Sequence, residues 1–311
     1  MNMGTMTNNG FLRRNLPYFG LAIGIISQTL SPFFVRWGGG TVPGPVFAFY
    51  RLAIGGLLIT FFFIRSKPDR SIWSWKNLMF PVLGGICTAA DLSLWNTGLH
   101  MTSIANATLM SNTAPVWVVL ASFLIFKEKF KKSFWLGLLL AMGGAAIVLS
   151  YDFFKRPHLS FGDLISLASG IFYGGYYIST QHGRKTLSVI QYLWIMSVTS
   201  SLVLLGFSLA MGYPIVGYSS QAVLSFIGAG VVVQCIAYVG VAYALGHLPA
   251  AIVSPTIILQ PVLSTLLAIP VFGEAFIPIQ WIGMASVLSG VYLINRSHDP
   301  GNQPVVSPEP A

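Results

Sequence analysis

The chain has 311 residues, of which 8% are charged and 54% hydrophobic, with a mean hydropathy of +0.72. Soluble domains carry about 25% charged residues, so this composition cannot furnish a water-facing surface and excludes a soluble globular protein. The net charge of +9 does not indicate nucleic acid either, because the basic residues stand in short clusters between apolar runs, a placement that reports membrane topology.

A helix needs about 20 apolar residues to cross the hydrocarbon core, and on that measure ten spans follow in chain order. A cytoplasmic segment, residues 1–16, carries Arg13 and Arg14 and leads into span 1 at 17–35. No small-residue cleavage site precedes a polar mature domain, so span 1 reads as an uncleaved helix. Span 2, at 45–64, holds Arg51 several residues from its outer end, where it either snorkels outward on its long stem or binds an anionic group.

Span 3, at 78–99, contains Asp91, the acidic residue deepest inside any span. A carboxylate at depth costs a few kcal/mol on insertion scales, so it must face the bundle interior or a wet cavity. It serves there as a proton-coupling group or ammonium ligand, or as a structural Asp held by Asn106 or Asn112. Trp95, four residues on, shares its face, where charge and cation–π attraction together suit an organic cation; the plainer reading is packing. Span 4, at 103–126, holds Asn106, Asn112 and Pro115. Lys127, Glu128, Lys129, Lys131 and Lys132 follow, and Glu128 is read as the head of span 5, at 133–150, where a carboxylate favours the positive helix end.

After an external linker, 151–161, span 6 at 162–181 carries Tyr173, Tyr177 and Gln181 as one stripe, read either as a substrate wall or as an interfacial belt. Its Gly170-x-x-x-Gly174 pair permits close approach of another helix. Span 7 lies at 189–210. Span 8, at 221–245, offers Gln234 and Tyr238 at helical spacing, for substrate or for helix-to-helix contact. Span 9, at 249–271, contains Pro255, Gln260 and Pro261, and span 10 runs over 279–295. Pro115 and Pro261 each remove a backbone hydrogen bond and kink their helix, either as bending points or as fixed shape. Asn112 and Gln260 then cap freed backbone or touch substrate. Cys87 and Cys235 fall inside apolar runs and read as buried thiols, and the proline-rich tail, 297–311, reads as disordered.

The two halves repeat. Phe126-Lys127-Glu128-Lys129-Phe130 returns as Phe272-Gly273-Glu274-Ala275-Phe276, an offset of 146 residues (272 minus 126), without the lysines. Residues 115–144 share nine identities in 30 positions with their counterparts at that offset; chance gives roughly two or three in this composition. With the N-terminus inside, 13 basic residues fall in cytoplasmic segments and three (Arg36, Lys155, Arg156) in external ones, which supports cytoplasmic N- and C-termini and an even number of spans. Five spans per repeat, 17–150 and 162–296, place the second copy upside down, and the lost lysines are what an external loop requires. The expected fold is therefore all-α integral membrane, ten transmembrane helices as two inverted five-helix repeats.

The segments Asp91-Leu92-Ser93-Leu94-Trp95, Thr102-Ser103-Ile104-Ala105-Asn106-Ala107-Thr108-Leu109 and Asn112-Thr113-Ala114-Pro115, with Phe126 to Gly144 and Gln260-Pro261 through Gly273-Glu274 to Gly290, resemble the EamA-like transporters of the drug/metabolite transporter superfamily. The resemblance covers roughly residues 17–296. It implies a ten-helix bundle around a central cavity, alternating access by rocking of two halves, and helices 5 and 10 at the periphery. Similar proteins move amino acids, drugs, nucleotide-type metabolites and other small organic solutes.

These readings converge on a secondary transporter of a small organic solute in the plasma (inner) membrane, expected to export an amino acid, a related metabolite or a drug-like compound; import is the alternative. No G-x-x-x-x-G-K-[ST] motif occurs, so energy comes from a proton or other ion gradient, from an exchanged solute or from the solute's own gradient. A membrane-embedded enzyme is the remote rival, lacking H-E-x-x-H and paired intramembrane carboxylates. No metal, cofactor or nucleic-acid partner is expected, and the oligomeric state is left open.

Overall fold

The computed structural model describes residues 8–39, 42–68, 70–102, 104–155, 160–272 and 278–297. Glu274, linker residues 156–159 and the tail beyond Ser297 lie outside them. The described residues form helices α1 (Asn8–Gln28), α2 (Ser31–Trp37), α3 (Gly44–Arg65), α4 (Trp75–Met101), α5 (Ile104–Ser111), α6 (Ala114–Leu124), α7 (Lys132–Lys155), α8 (Phe161–Gly183), α9 (Val189–Ala210), α10 (Ser220–Gly228), α11 (Tyr238–Leu245), α12 (Ala250–Thr256), α13 (Leu259–Phe272) and α14 (Pro278–Ser297). A π-helical stretch, Ala229–Ala237, joins α10 to α11. No strand occurs among the described residues.

Among the described residues six stretches are long and apolar enough to cross a membrane: Asn15–Trp37, Gly44–Arg65, Trp75–Met101, Asn106–Leu124, Val189–Ala210 and Ser220–Leu245. The chain is a multi-pass membrane protein. Its outer faces carry bare apolar side chains such as Leu57, 73% exposed, and Leu139, 71% exposed, which lipid tolerates and water does not.

Three expected spans are interrupted. The first breaks at Thr29–Leu30, the fourth at Asn112–Thr113 and the ninth at Ile257–Ile258. In each case a proline, Pro32, Pro115 or Pro261, stands within the first three residues of the helix that resumes. Proline cannot donate to the carbonyl four residues back, yet it is at home in a first turn, where that donor has no intrahelical partner. The prolines therefore begin new helices where the sequence suggested kinks within old ones. The breaks at 112–113 and 257–258 lie 145 residues apart, within one residue of the repeat offset.

Serines start three of the helices. Ser160 accepts from the Asp163 amide while the Asp163 carboxylate takes the Ser160 amide, and Ser188 and Gln191 do the same at α9; Ser219 accepts from Ala222 N at α10. Each closes donors that a helix start leaves unpaired. The helix α7 continues to Lys155, past the expected end at 150.

Packing follows a regular scheme. The helix α4 lies along α8 and α9, α3 along α9 and the π-helical stretch, and α1 along that stretch and α11. The helices α7 and α14 pack on each other over Phe134, Leu138, Ala141, Met284 and Val287. Their crossing is glycine-lined and reciprocal. A Cβ on Gly137 would meet Gly290 O at 2.7 Å, and one on Gly290 would meet Gly137 O at 2.5 Å. Gly144 and Gly283 stand in the same relation at 2.6 and 2.8 Å. Between them Ser286 Oγ donates to Leu140 O at 2.8 Å, across 146 residues of sequence.

Candidate functional site

The interruptions converge on one cavity of about 50 Å³. Gln28 and Ser31 flank the first break; Thr108, Ser111 and Asn112 stand at the second. Gln260 follows the third, and Tyr238 begins the helix beyond the π-helical stretch. The continuous helices contribute Arg51 from α3, Asp91, Leu92 and Trp95 from α4, and Tyr173 from α8. At roughly 10–15 Å³ per water-sized sphere, the space holds a few waters or a small polar group.

Broken helices expose carbonyls that need donors, and polar side chains near the breaks donate to carbonyls there. Gln260 Nε2 donates to Gln28 O at 3.2 Å, Ser264 Oγ to Thr29 O at 3.2 Å, Asn112 Nδ2 to Thr108 O at 2.8 Å and Thr113 Oγ1 to Met110 O at 2.7 Å. Gln260 thus caps the carbonyl that Pro32 leaves without its amide donor, while Asn112 adds a second donor to Thr108 O, which also accepts from the Asn112 amide; both line the cavity. Gln28 Nε2 donates to Tyr173 Oη at 2.7 Å and links α1 to α8. Gly170 brings α8 against the second break, where a Cβ would meet Ser111 O at 2.9 Å.

Asp91 is 5% exposed, with Ser169 beside its carboxylate and Arg51 close enough to act on it electrostatically. Trp95 shares the cavity, as the i, i+4 spacing requires. Arg51 does not reach outward. It is 3% exposed, donates from Nη1 to Ser31 Oγ at 3.2 Å and holds its guanidinium carbon 5.4 Å from the Tyr238 ring centroid. Burial on the inner face of α3 rules out snorkelling. Three buried polar atoms on the cavity lining have no hydrogen-bond partner: Arg51 Nε, Gln28 Oε1 and Thr108 Oγ1.

Of the residues singled out in the sequence, Asp91, Trp95, Asn112, Tyr173, Tyr238 and Gln260 are brought together here. The others lie elsewhere. Asn106 and Thr102 bond the Asp163 carboxylate at the start of α8. Tyr177 is buried in an aromatic cluster, 4.7 Å from Tyr173 by ring centroid. Gln181 Oε1 accepts from Ala250 N at 2.7 Å and so caps α12. Gln234 is wholly buried against Gly55, with Nε2 at 3.4 Å from Ser197 Oγ, a helix-to-helix contact. Pro115 and Pro261 set the breaks, and Pro255 sits inside α12 just before one. Sequence reasoning missed Gln28, Ser31, Thr108 and Ser111. A mid-span glutamine followed by Pro32 was the available signal for the first two.

Glu128 differs from expectation as well. It lies in the irregular stretch before α7, whose first turn has no acidic residue, and its carboxylate turns back to Ser122 near the end of α6. Burial raises its pKa above the ordinary glutamate value, against the smaller lowering effects of Ser122 and Lys185. Among the described residues no three His, Cys, Asp or Glu side chains gather as a metal site.

The chain is 26% identical over 260 residues to the uncharacterized transporter YwfM of Bacillus subtilis, covering 81% of this chain and 84% of that one. It is 26% identical over 274 residues to an uncharacterized transporter of Archaeoglobus fulgidus, covering 88% and 93%. A solved crystal structure of another protein superposes with a TM-score of 0.74 at 16% identity over 89% of this chain and 95% of that one, which shows a shared fold. The sequence model of the EamA-like transporter family matches twice, over residues 15–150 and 160–296. With a multi-pass helical fold and both halves matched, this chain belongs to the EamA-like transporter family.

Proposed function

We propose that this protein is a secondary transporter that moves a small organic solute, outward across the plasma membrane, by alternating access between two inverted five-helix halves. The carrying observation is the cavity itself. A transporter needs a polar site at depth, reachable by turns from either side, and such sites are built where helices are discontinuous and their backbone is satisfied by neighbours. Three breaks, a π-helical stretch, Arg51 and Asp91 meet at one place here. Asp91 serves as solute ligand or proton site, with Trp95, Asn112, Tyr173, Tyr238 and Gln260 around it.

Ten spans and their inversion are part of the same proposal. The six unambiguous spans are completed by α7, α8, α12 with α13, and α14. A contact in which residue i meets j+146 while j meets i+146 is what a two-fold relation between repeats produces. The Gly137–Gly290 and Gly144–Gly283 contacts have that form. The double family match supports duplication independently.

The test is solute flux in liposomes holding the purified protein. Counterflow of chemically unchanged solute from a metabolite library supports the reading, and vesicles loaded on one side or the other give the direction. Solute conversion without flux would defeat it in favour of an enzyme.

A further inference from the structure

Polar bonds between helices differ between the two ends of the bundle. One end carries Lys127, Lys129, Lys131, Lys132 and Lys185; α8 and α10 start at the other. Around the cavity the helices form two groups, α4, α5, α6 and α8 in one and α1, α2 and α10 to α13 in the other. Where α8 and α10 start, Thr102 Oγ1 donates to Asp163 Oδ1 at 2.7 Å and joins α4 to α8, within the first group. Gln221 Nε2 donates to Trp37 O at 2.8 Å and joins α10 to α2, within the second. The Gln28–Tyr173 bond crosses between groups at the level of the cavity.

At the basic end further bonds cross. The last turn of α8 is anchored in the first group by His182, whose ring stacks between Phe80 of α4 and Phe126 beyond α6, with centroids 5.2 and 4.8 Å away. Its neighbours reach the second group. Gln181 Oε1 accepts from Ala250 N at 2.7 Å, at the start of α12. Arg184, 2% exposed, donates from Nε to Ala242 O at 3.2 Å and lies across the end of α11, where a Cβ on Gly246 would meet its Nη2 at 2.9 Å. Val119 of α6 shares an apolar cluster with Ala251 and Ile252 of α12. These bonds can open at little cost. Ala250 N belongs to the first turn of α12, whose amides have no partner within the helix, and Ala242 O keeps the Gly246 amide at 3.1 Å when Arg184 leaves. Water entering from this end replaces the rest.

We propose that Gln181 and Arg184 are the latch of a gate at the basic end. They hold α8 to α11 and α12 in the state described here, shut toward that end, and release when the cavity opens to it. This assignment rests on the transport reading and adds to it the residues that decide which end the cavity faces.

The experiment measures how fast an impermeant anionic methanethiosulfonate labels Ser111→Cys, on the cavity lining, in the full-length protein without Cys87 and Cys235. Sealed vesicles of both orientations are compared, and labelling of Lys131→Cys identifies those that present the basic end. The reporter is expected to react at least about fivefold more slowly from the basic end than from the other. Gln181→Ala is expected to raise the basic-end rate about threefold or more and Arg184→Gln about tenfold or more, the larger effect belonging to the charged donor. Neither is expected to raise the rate from the other end, because a latch trades one facing state for the other. Equal reporter rates from both ends overturn the assignment, as do unchanged rates in both variants or a rise from both ends, which marks general loosening. Should Arg184→Gln fail to fold, the reporter comparison and Gln181→Ala still decide. Solute flux in liposomes alongside equal labelling from both ends would keep the transport reading while defeating the latch.

Discussion

At the scale of the residue, the cavity brings one arginine, Arg51, and one carboxyl group, Asp91, into a small space. If Asp91 is the proton site, Asp91→Asn abolishes proton-driven uptake in vesicles while the protein remains folded and monodisperse; unchanged uptake removes Asp91 from the coupling step. Glu128 carries a second residue-level expectation. Its folded pKa is raised by burial, so from the ordinary glutamate value of about 4.3 up to the raised value the folded state holds the proton more than the unfolded state does. Stability therefore falls as pH rises through that window and is level above it. Melting temperatures of wild type and Glu128→Gln across this range check the sign: the variant lacks that part of the slope. If the variant showed a steeper fall instead, Ser122 and Lys185 would outweigh burial.

At the scale of the element, interrupted helices and glycine crossings set the geometry. At the first break side chains from α13 satisfy carbonyls, Gln260 at Gln28 O and Ser264 at Thr29 O, so that interruption is a built feature of the bundle. The α7–α14 crossing has no room for a side chain at its glycines. In Gly290→Val a Cβ would lie 2.4 Å from Ala141 N and 2.5 Å from Gly137 O, both backbone atoms with no rotamer to change. We expect the helices to be forced apart, with a loss of about 1–3 kcal/mol or more, measured as a lowered denaturation midpoint in detergent. A similar loss is expected for Gly137→Val because the contact is reciprocal. A neutral outcome for both would mean that the crossing is looser than described. Neither glycine lines the cavity, so solute affinity per folded molecule is expected to persist.

At the scale of the whole molecule, the placement of charge sets an expectation for orientation. The basic cluster Lys127, Lys129, Lys131 and Lys132 sits at one end of the bundle's first half, and its counterpart in the second half lacks it. If the positive-inside bias governs insertion, a cysteine at Lys131 in a background without Cys87 and Cys235 is labelled by an impermeant reagent only after cells are opened. A cysteine at Val216, 79% exposed between α9 and α10, is labelled in intact cells. Reversed labelling would turn the molecule over, and labelling of both positions from one side would break the ten-span scheme.

The sequence by itself determined the membrane class, the duplication and the kinds of polar residue carried into the bundle, because hydropathy, charge placement and repeat identity are local properties that add along the chain. It also placed Asp91 and Trp95 together, since four residues of helix fix a shared face. Only the tertiary structure decided which neighbour each face meets. Asn106 turned to Asp163, Gln181 to the start of α12 and Gln234 to Ser197, while Arg51, with a stem long enough for lipid interface or interior, turned inward over Tyr238. Helical spacing fixes a side chain's direction only relative to its own axis. The rotation of each helix about that axis, and the points where Pro32, Pro115 and Pro261 restart it, are set by contacts between segments tens to hundreds of residues apart. Those contacts, absent from any local pattern, are what assembled the cavity.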